Sequence, residues 1–302
     1  MSARGAARAS AGRLSWTQDG QDWPNREFSR FVESGGLRWH VQRMGRGPKL
    51  LLIHGTGAGT HSFRALAPML AQRFEVTAPD LPGHAFSDPM APGTLSLKGM
   101  ARALERLLTT LDLEPEIVVG HSAGAAILAR MCIDRAIEPK ILVSLNGALL
   151  PFEGMAGLIM PPMAKLLFLN PFAPRLFAWT ADRAAVSRLL RGTGSTIEPK
   201  GVDLYARLFA DPGHVASALG MMANWDLATL ARDLPRLPVP LALIVGRGDK
   251  AVPPAAAEKI KGLTPDARIE SLRGVGHLAH EEAPDVVRDV IVRLAAEAGI
   301  YF

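Results

Sequence analysis

The chain has a single cysteine, Cys132, so no disulfide can form within it. That cysteine falls in an apolar helical stretch, where a buried, inert thiol is expected. Long hydrophobic runs are also missing. The uncharged stretches Gly154 to Ala164 and Leu166 to Pro174 are broken by prolines. They reach roughly half of the ~20 residues needed to span a bilayer, which leaves at most peripheral membrane contact. Charge is not gathered into blocks. The formal net charge is +5 and the pI near 9.6, yet lysines and arginines are scattered through both halves. No basic run is interleaved with aromatics, so nucleic acid is not expected as a partner. Met1 to Leu14 carries Arg4, Arg8 and Arg13 among small residues. It lacks the apolar core of about 7–15 residues that marks a secretory signal. A flexible tail over residues 1–20 and a cytoplasmic location are the expectation.

What is present is a strand–helix rhythm. The 302 residues suit one large domain, or one domain with an insertion. Phe31–Glu33 and Leu37–Gln42 flank Gly35-Gly36 and predict a β-hairpin. Leu50–Ile53, Phe74–Ala78, Ile117–Val119, Ile141–Leu145, Leu241–Val245 and Arg268–Leu272 predict buried strands. Helices are expected over Phe63–Leu70, Leu95–Leu111, Ala255–Gly262 and Pro284–Ala298, with another after Ser122. Alternation of this kind predicts an α/β fold, a mostly parallel central sheet flanked by helices. The rhythm stops between Leu149 and Asn224, where prolines separate helix-like pieces. The expected division is a core of residues 21–148 and 225–302 with an inserted helical cap over 149–224.

The chemistry centres on Gly120-His121-Ser122-Ala123-Gly124, a G-x-S-x-G turn between an apolar strand and a small-residue helix. A serine in such a turn projects its hydroxyl above the sheet edge, and it needs a base to become nucleophilic. Asp249 follows Leu241–Val245 and His277 follows Arg268–Leu272, each just past a strand end. The order Ser122, Asp249, His277 is the one a nucleophile-elbow sheet requires. Asn146 to Pro151, after another strand, contains no carboxylate. Oxyanion donors are expected from the backbone N–H groups of Ala123 and Thr56, the latter in the loop His54–Gly59. His280 and Glu281 lie close to His277, but no third ligand stands at useful spacing, so no metal and no cofactor are expected. The cap residues Met155, Met160, Met163, Phe168, Phe172, Trp179, Met221, Met222 and Trp225 are candidates for an apolar substrate pocket.

With His54-Gly55-Thr56-Gly57, Asp80-Leu81-Pro82-Gly83-His84, the elbow, Gly248-Asp249 and Gly276-His277 in view, the chain resembles the α/β-hydrolase superfamily over nearly its whole length. A serine at the elbow argues against the branches whose nucleophile is an aspartate. A narrower resemblance rests on Asp22–Arg26, Gly36–Gln42, Val143–Ala148, Gly192–Ser195, Met221–Asp226 and His277–Glu282. These stretches are similar to the magnesium-chelatase accessory proteins (BchO-type) of bacteriochlorophyll biosynthesis. That resemblance implies a role near magnesium insertion into protoporphyrin IX. It also implies a tetrapyrrole-like ligand, magnesium-chelatase subunits as partners and a location at or near the photosynthetic membrane. Three functions follow as expectations: a serine hydrolase of an ester or acyl bond, a porphyrin-binding or chelatase-assisting factor without turnover, and a generic carboxylesterase.

Overall fold

The computed structural model describes residues 13–151, 166–167, 170 and 172–301. Eight strands form one sheet in the order β1-β2-β4-β3-β5-β6-β7-β8. β1 (Ser29–Ser34) and β2 (Leu37–Met44) are the predicted hairpin, closed at Ser34↔Leu37 by two glycines at φ +60° and +76°. Positive φ at both turn positions favours glycine, which has no Cβ to strain. β2 also runs antiparallel to β4 (Glu75–Pro79). From β4 through β3 (Lys49–Ile53), β5 (Ile117–His121), β6 (Ile141–Leu145), β7 (Leu241–Gly246) and β8 (Arg268–Leu272), all pairs are parallel. The central strands β3, β5 and β6 are almost wholly buried, as their unbroken apolar runs predict.

Helices cover both faces. Ahead of the sheet lies α1 (Trp16–Asp19), and after β3 comes α2 (Leu66–Leu70). The predicted helix over Phe63–Leu70 is split, with a 3-10 turn at Thr60–Phe63 ahead of α2. Pro68 lacks an N–H and fits only in the first turn of α2, so that helix cannot start earlier. α3 (Leu97–Thr110) is capped by Ser96, whose Oγ accepts from the Gly99 N–H. α4 (Ala123–Ile133) leaves the elbow, and nearly all of it is buried, Cys132 included. Burial pushes that thiol up to about 12, in keeping with an inert side chain.

Between β6 and β7 the described helices are α5 (Ala173–Thr180), α6 (Arg183–Gly192), α7 (Pro199–Phe209), α8 (Pro212–Ala223) and α9 (Leu227–Asp233). α10 (Ala255–Leu263), α11 (Ala279–Glu282) and α12 (Pro284–Glu297) complete the chain. One apolar cluster gathers α3, α4 and one sheet face. Another packs α2 and α12 on the opposite face. A smaller cluster joins α6 and α7 to Ala58 and Leu278, tying this segment to the loops after β3 and β8. No described helix is long and apolar enough to cross a membrane.

Candidate active site

Ser122 sits at the end of β5 with φ +51° and ψ −118°, a conformation costly for any residue with a Cβ. Its surroundings hold it there. The Ser122 N–H donates to the Leu145 carbonyl, and its own carbonyl accepts from Ala125 and Ala148. Side chains at Gly120 and Gly124 would collide with the backbone of Ala125 and with the carbonyls of Ile53 and His54. The two glycines are there for space. A Cβ at Gly55 would lie 2.9 Å from Ser122 Cβ, so the loop after β3 runs directly against the serine.

The Asp249–His277 pair is assembled at the ends of β7 and β8. His277 Nδ1 lies 2.8 Å from Asp249 Oδ2, with both residues buried. The same carboxylate accepts from Asn146 Nδ2 at 2.8 Å and, through Oδ1, from the N–H groups of Ala251 and Val252 at 2.8 Å. Four donors suit an ionised carboxylate, which can only accept. Nδ1 of His277 therefore carries its hydrogen, leaving Nε2 as the basic nitrogen. His121, beside Ser122, links the two parts: its Nε2 is 3.0 Å from the His277 carbonyl, and the two rings are 4.8 Å apart. Among the described residues, Ser122 Oγ has no hydrogen-bond partner.

Neither expected oxyanion donor is engaged: the Thr56 and Ala123 N–H groups have no acceptor among the described residues. The Thr56 N–H is aimed indirectly. A planar trans peptide sets it opposite the Gly55 carbonyl, which accepts from His54 Nδ1 at 2.8 Å and from the Ala58 N–H at 3.2 Å. His54 Nε2 accepts from the Leu81 N–H at 2.8 Å, so its hydrogen is on Nδ1. His214, from α8, takes the complementary tautomer. Its Nδ1 accepts from the Ala85 N–H at 3.1 Å and its Nε2 lies 3.1 Å from the Gly57 carbonyl. Burial lowers both imidazoles, His214 to about 4, which keeps them neutral.

Two contributors escaped the sequence reading. Asn146, at φ +47° directly after β6, holds Asp249 and also reaches the Gly276 carbonyl at 3.3 Å. The stretch after β6 was open to inspection at the same sheet edge, but a search for an acid passes over an amide. The Thr193–Ser195 turn bridges the loops that carry Asp249 and His277. The Thr193 carbonyl accepts from the Lys250 N–H at 3.0 Å, and Ser195 Oγ accepts from the Leu278 N–H at 2.8 Å.

Of the cap candidates, five fall among the described residues. Met155, Met160, Met163 and Phe168 lie outside the described residues. Phe172 and Trp179 are largely exposed, Met222 is partly exposed, Met221 is sealed in the main core, and Trp225 is partly buried against it. A groove of about 630 Å³ opens between α5 and α6, lined by Phe177, Ala181, Val186, Leu189, Thr193 and Ala251 among others. Ser122, Asp249 and His277 do not line it.

Comparison with known proteins agrees with this architecture. The model of the alpha/beta hydrolase family matches residues 50–290. The magnesium-chelatase 30 kDa subunit of Rhodobacter capsulatus is 40% identical over 274 residues, covering 90% of this chain and 95% of that protein. The solved epoxide hydrolase CorEH superposes with a TM-score of 0.77 at 22% identity, over 89% of this chain and 98% of its own. A serine hydrolase involved in carbazole degradation, the CarC enzyme, gives 0.72 at 20% identity over 89% and 98%. At these identities the two structures speak for the fold alone.

Proposed function

The chain belongs to the α/β-hydrolase family, in the group of the magnesium-chelatase 30 kDa subunit, and from that premise we propose that it is a serine hydrolase of an ester or related acyl bond. The observation that carries this reading is the buried Asp249–His277 pair beside a serine in a strained elbow. Ser122 Oγ attacks the acyl carbon as its proton passes to His277 Nε2. Asp249 keeps the ring in that tautomer and stabilises the imidazolium. The oxygen of the tetrahedral intermediate meets the N–H groups of Thr56 and Ala123, each worth on the order of 10²–10³ in rate. His277 then protonates the leaving group, and water, activated by the same imidazole, releases the acid from Ser122. The relative's name points to magnesium chelatase, so the proposed setting is bacteriochlorophyll biosynthesis, close to magnesium insertion into protoporphyrin IX. The proposed substrate is an apolar, tetrapyrrole-like ester, and the helices over 149–224 are its proposed cap.

The test is covalent labelling by a fluorophosphonate probe. Ser122 is expected to be modified, and Ser122→Ala to abolish both labelling and pigment synthesis in a deletion strain. Full complementation by Ser122→Ala would overturn turnover as the role. A second reading is favoured by the lack of a Ser122–His277 hydrogen bond and by a groove that bypasses the serine. In that reading the protein binds a porphyrin or assists the chelatase subunits without catalysis. Titration with protoporphyrin IX, followed by absorbance in the Ser122→Ala variant, separates the two.

A further inference from the structure

α5 turns its apolar side outward. Pro174 is its one buried residue, while Phe172, Leu176 and Trp179 are 71%, 60% and 79% exposed. Their spacing of four and then three residues sets them on one helix face. A helix on a water-facing surface carries charge on that face and buries its apolar side. Here the arrangement is inverted. Charge along this stretch of the chain is one-sided. From Phe172 to Gly192 the chain holds Arg175, Arg183, Arg188 and Arg191 against Asp182 alone. Arg183 is bound to Asp203 and Arg191 to Ser187, whereas Arg175 and Arg188 have no ion-pair partner among the described residues.

We propose that this face docks on the surface of an anionic lipid bilayer. Phe172, Leu176 and Trp179 enter the boundary between headgroups and acyl chains, and Arg175 and Arg188 meet lipid phosphates. An outward Trp–Leu–Phe stripe flanked by arginines with no ion-pair partner among the described residues is the chemistry of an interfacial helix. At eight residues the helix is about 12 Å long and lies in the plane of the interface. A second copy of the chain fits less well. It would bring the same arginines together, and three side chains fall far short of the roughly 1,000 Å² of a stable interface. The groove that Arg188 lines also takes in Phe177 and Leu189 and, from the Asp249 loop, Ala251, whose N–H donates to Asp249. Docking would therefore present an apolar solute to a path toward the Asp249 loop, although the proposal stands whether or not Ser122 turns over.

Sedimentation of the full chain with phosphatidylglycerol vesicles and with phosphatidylcholine vesicles tests it. Binding is expected to the anionic vesicles, weakened by salt, with a blue shift in tryptophan emission. Trp179→Ser combined with Phe172→Ser is expected to lower partitioning at least about tenfold, with an unchanged melting temperature because both side chains are exposed. Arg175→Ala should weaken it about fivefold. No binding to anionic vesicles, equal binding by the double variant, or equal binding to the zwitterionic vesicles would overturn the proposal. So would a dimer in light scattering that Trp179→Ser dissolves in place of any vesicle binding.

Discussion

Asn146 and His214 each stand one step from the atoms proposed to react, and they contact different halves of the proposed site. Asn146 donates to the Asp249 oxygen that also receives His277. Removing that donor in Asn146→Ala loosens the Asp249–His277 geometry while leaving the acid and base in place. The rate constant of fluorophosphonate labelling is expected to fall about tenfold, equivalent to losing about 1.4 kcal/mol in the transition state. Asn146→Asp should be worse, because a second carboxylate beside Asp249 favours a shared proton over two charges. Its labelling rate is then expected to recover as pH rises, which the alanine variant should not do. His214 acts on the oxyanion side through the Gly57 carbonyl and the Ala85 N–H. His214→Phe removes both contacts and should lower kcat on an activated ester about tenfold with little change in KM. His214→Gln should restore part of it. A raised KM at constant kcat would show that His214 shapes a binding surface and not the oxyanion loop.

At the scale of elements, the helices between β6 and β7 are fastened to the segments after β3 and β8 by polar contacts that no periodicity reveals. Glu281, with a fully buried side chain, binds Arg64 and accepts from Tyr205 Oη of α7 at 2.8 Å. Burial raises the Glu281 carboxyl, and the Arg64 guanidinium and Tyr205 hydroxyl oppose that rise. Glu281→Ala would leave the Arg64 side chain buried, with the exposed Glu198 at 2.8 Å as its remaining ion-pair partner among the described residues and the His61 carbonyl at 3.2 Å. Breaking a buried pair in this way is expected to cost about 3 kcal/mol, readable as a lower urea midpoint at constant slope. Such contacts mark the limit of what the sequence discloses. The buried strands were legible because Leu50–Ile53 or Ile141–Leu145 must be sealed on both faces. Asp249 and His277 were legible because each directly follows such a run. Asn146 was not, since its role depends on β6 lying next to β7. Nor was Ser195, whose partner Leu278 is 83 residues away in sequence. The outward face of α5 was hidden for a related reason: its composition reads as pocket lining, and only the packing shows which side is covered.

Taken as a whole, the molecule buries all eight of its histidines. For six of them, His54, His61, His84, His121, His214 and His280, burial pulls the imidazole below its ordinary range, His214 to about 4 and His280 to about 3. Several have little to compensate a charge: both ring nitrogens of His61 and of His280 lack partners among the described residues. The sign follows from linkage. A histidine that is neutral when folded and near pKa 6.5 when unfolded takes up its proton on unfolding. Stability is therefore complete above about pH 7.5. It declines as pH falls through about 6.5, and goes on declining until the folded values near 4 and 3 are passed. Each such histidine removes up to about 1.4 kcal/mol per pH unit in that window. Asp80 acts in the same direction at lower pH. Burial alone would raise it, but His40 at 2.7 Å and the Thr60 N–H hold it down to about 2. Acid unfolding is accordingly expected at roughly pH 5, above the ordinary carboxylate range, with a steep, multi-proton transition. Circular dichroism and urea unfolding across pH 4 to 8 would measure it, and His280→Phe should move the midpoint to lower pH by removing one of the protons taken up. A stability that stays level from pH 7.5 down to 5 would mean that these rings are hydrated in solution, and that the buried histidine frame behind the oxyanion loop is looser than its geometry.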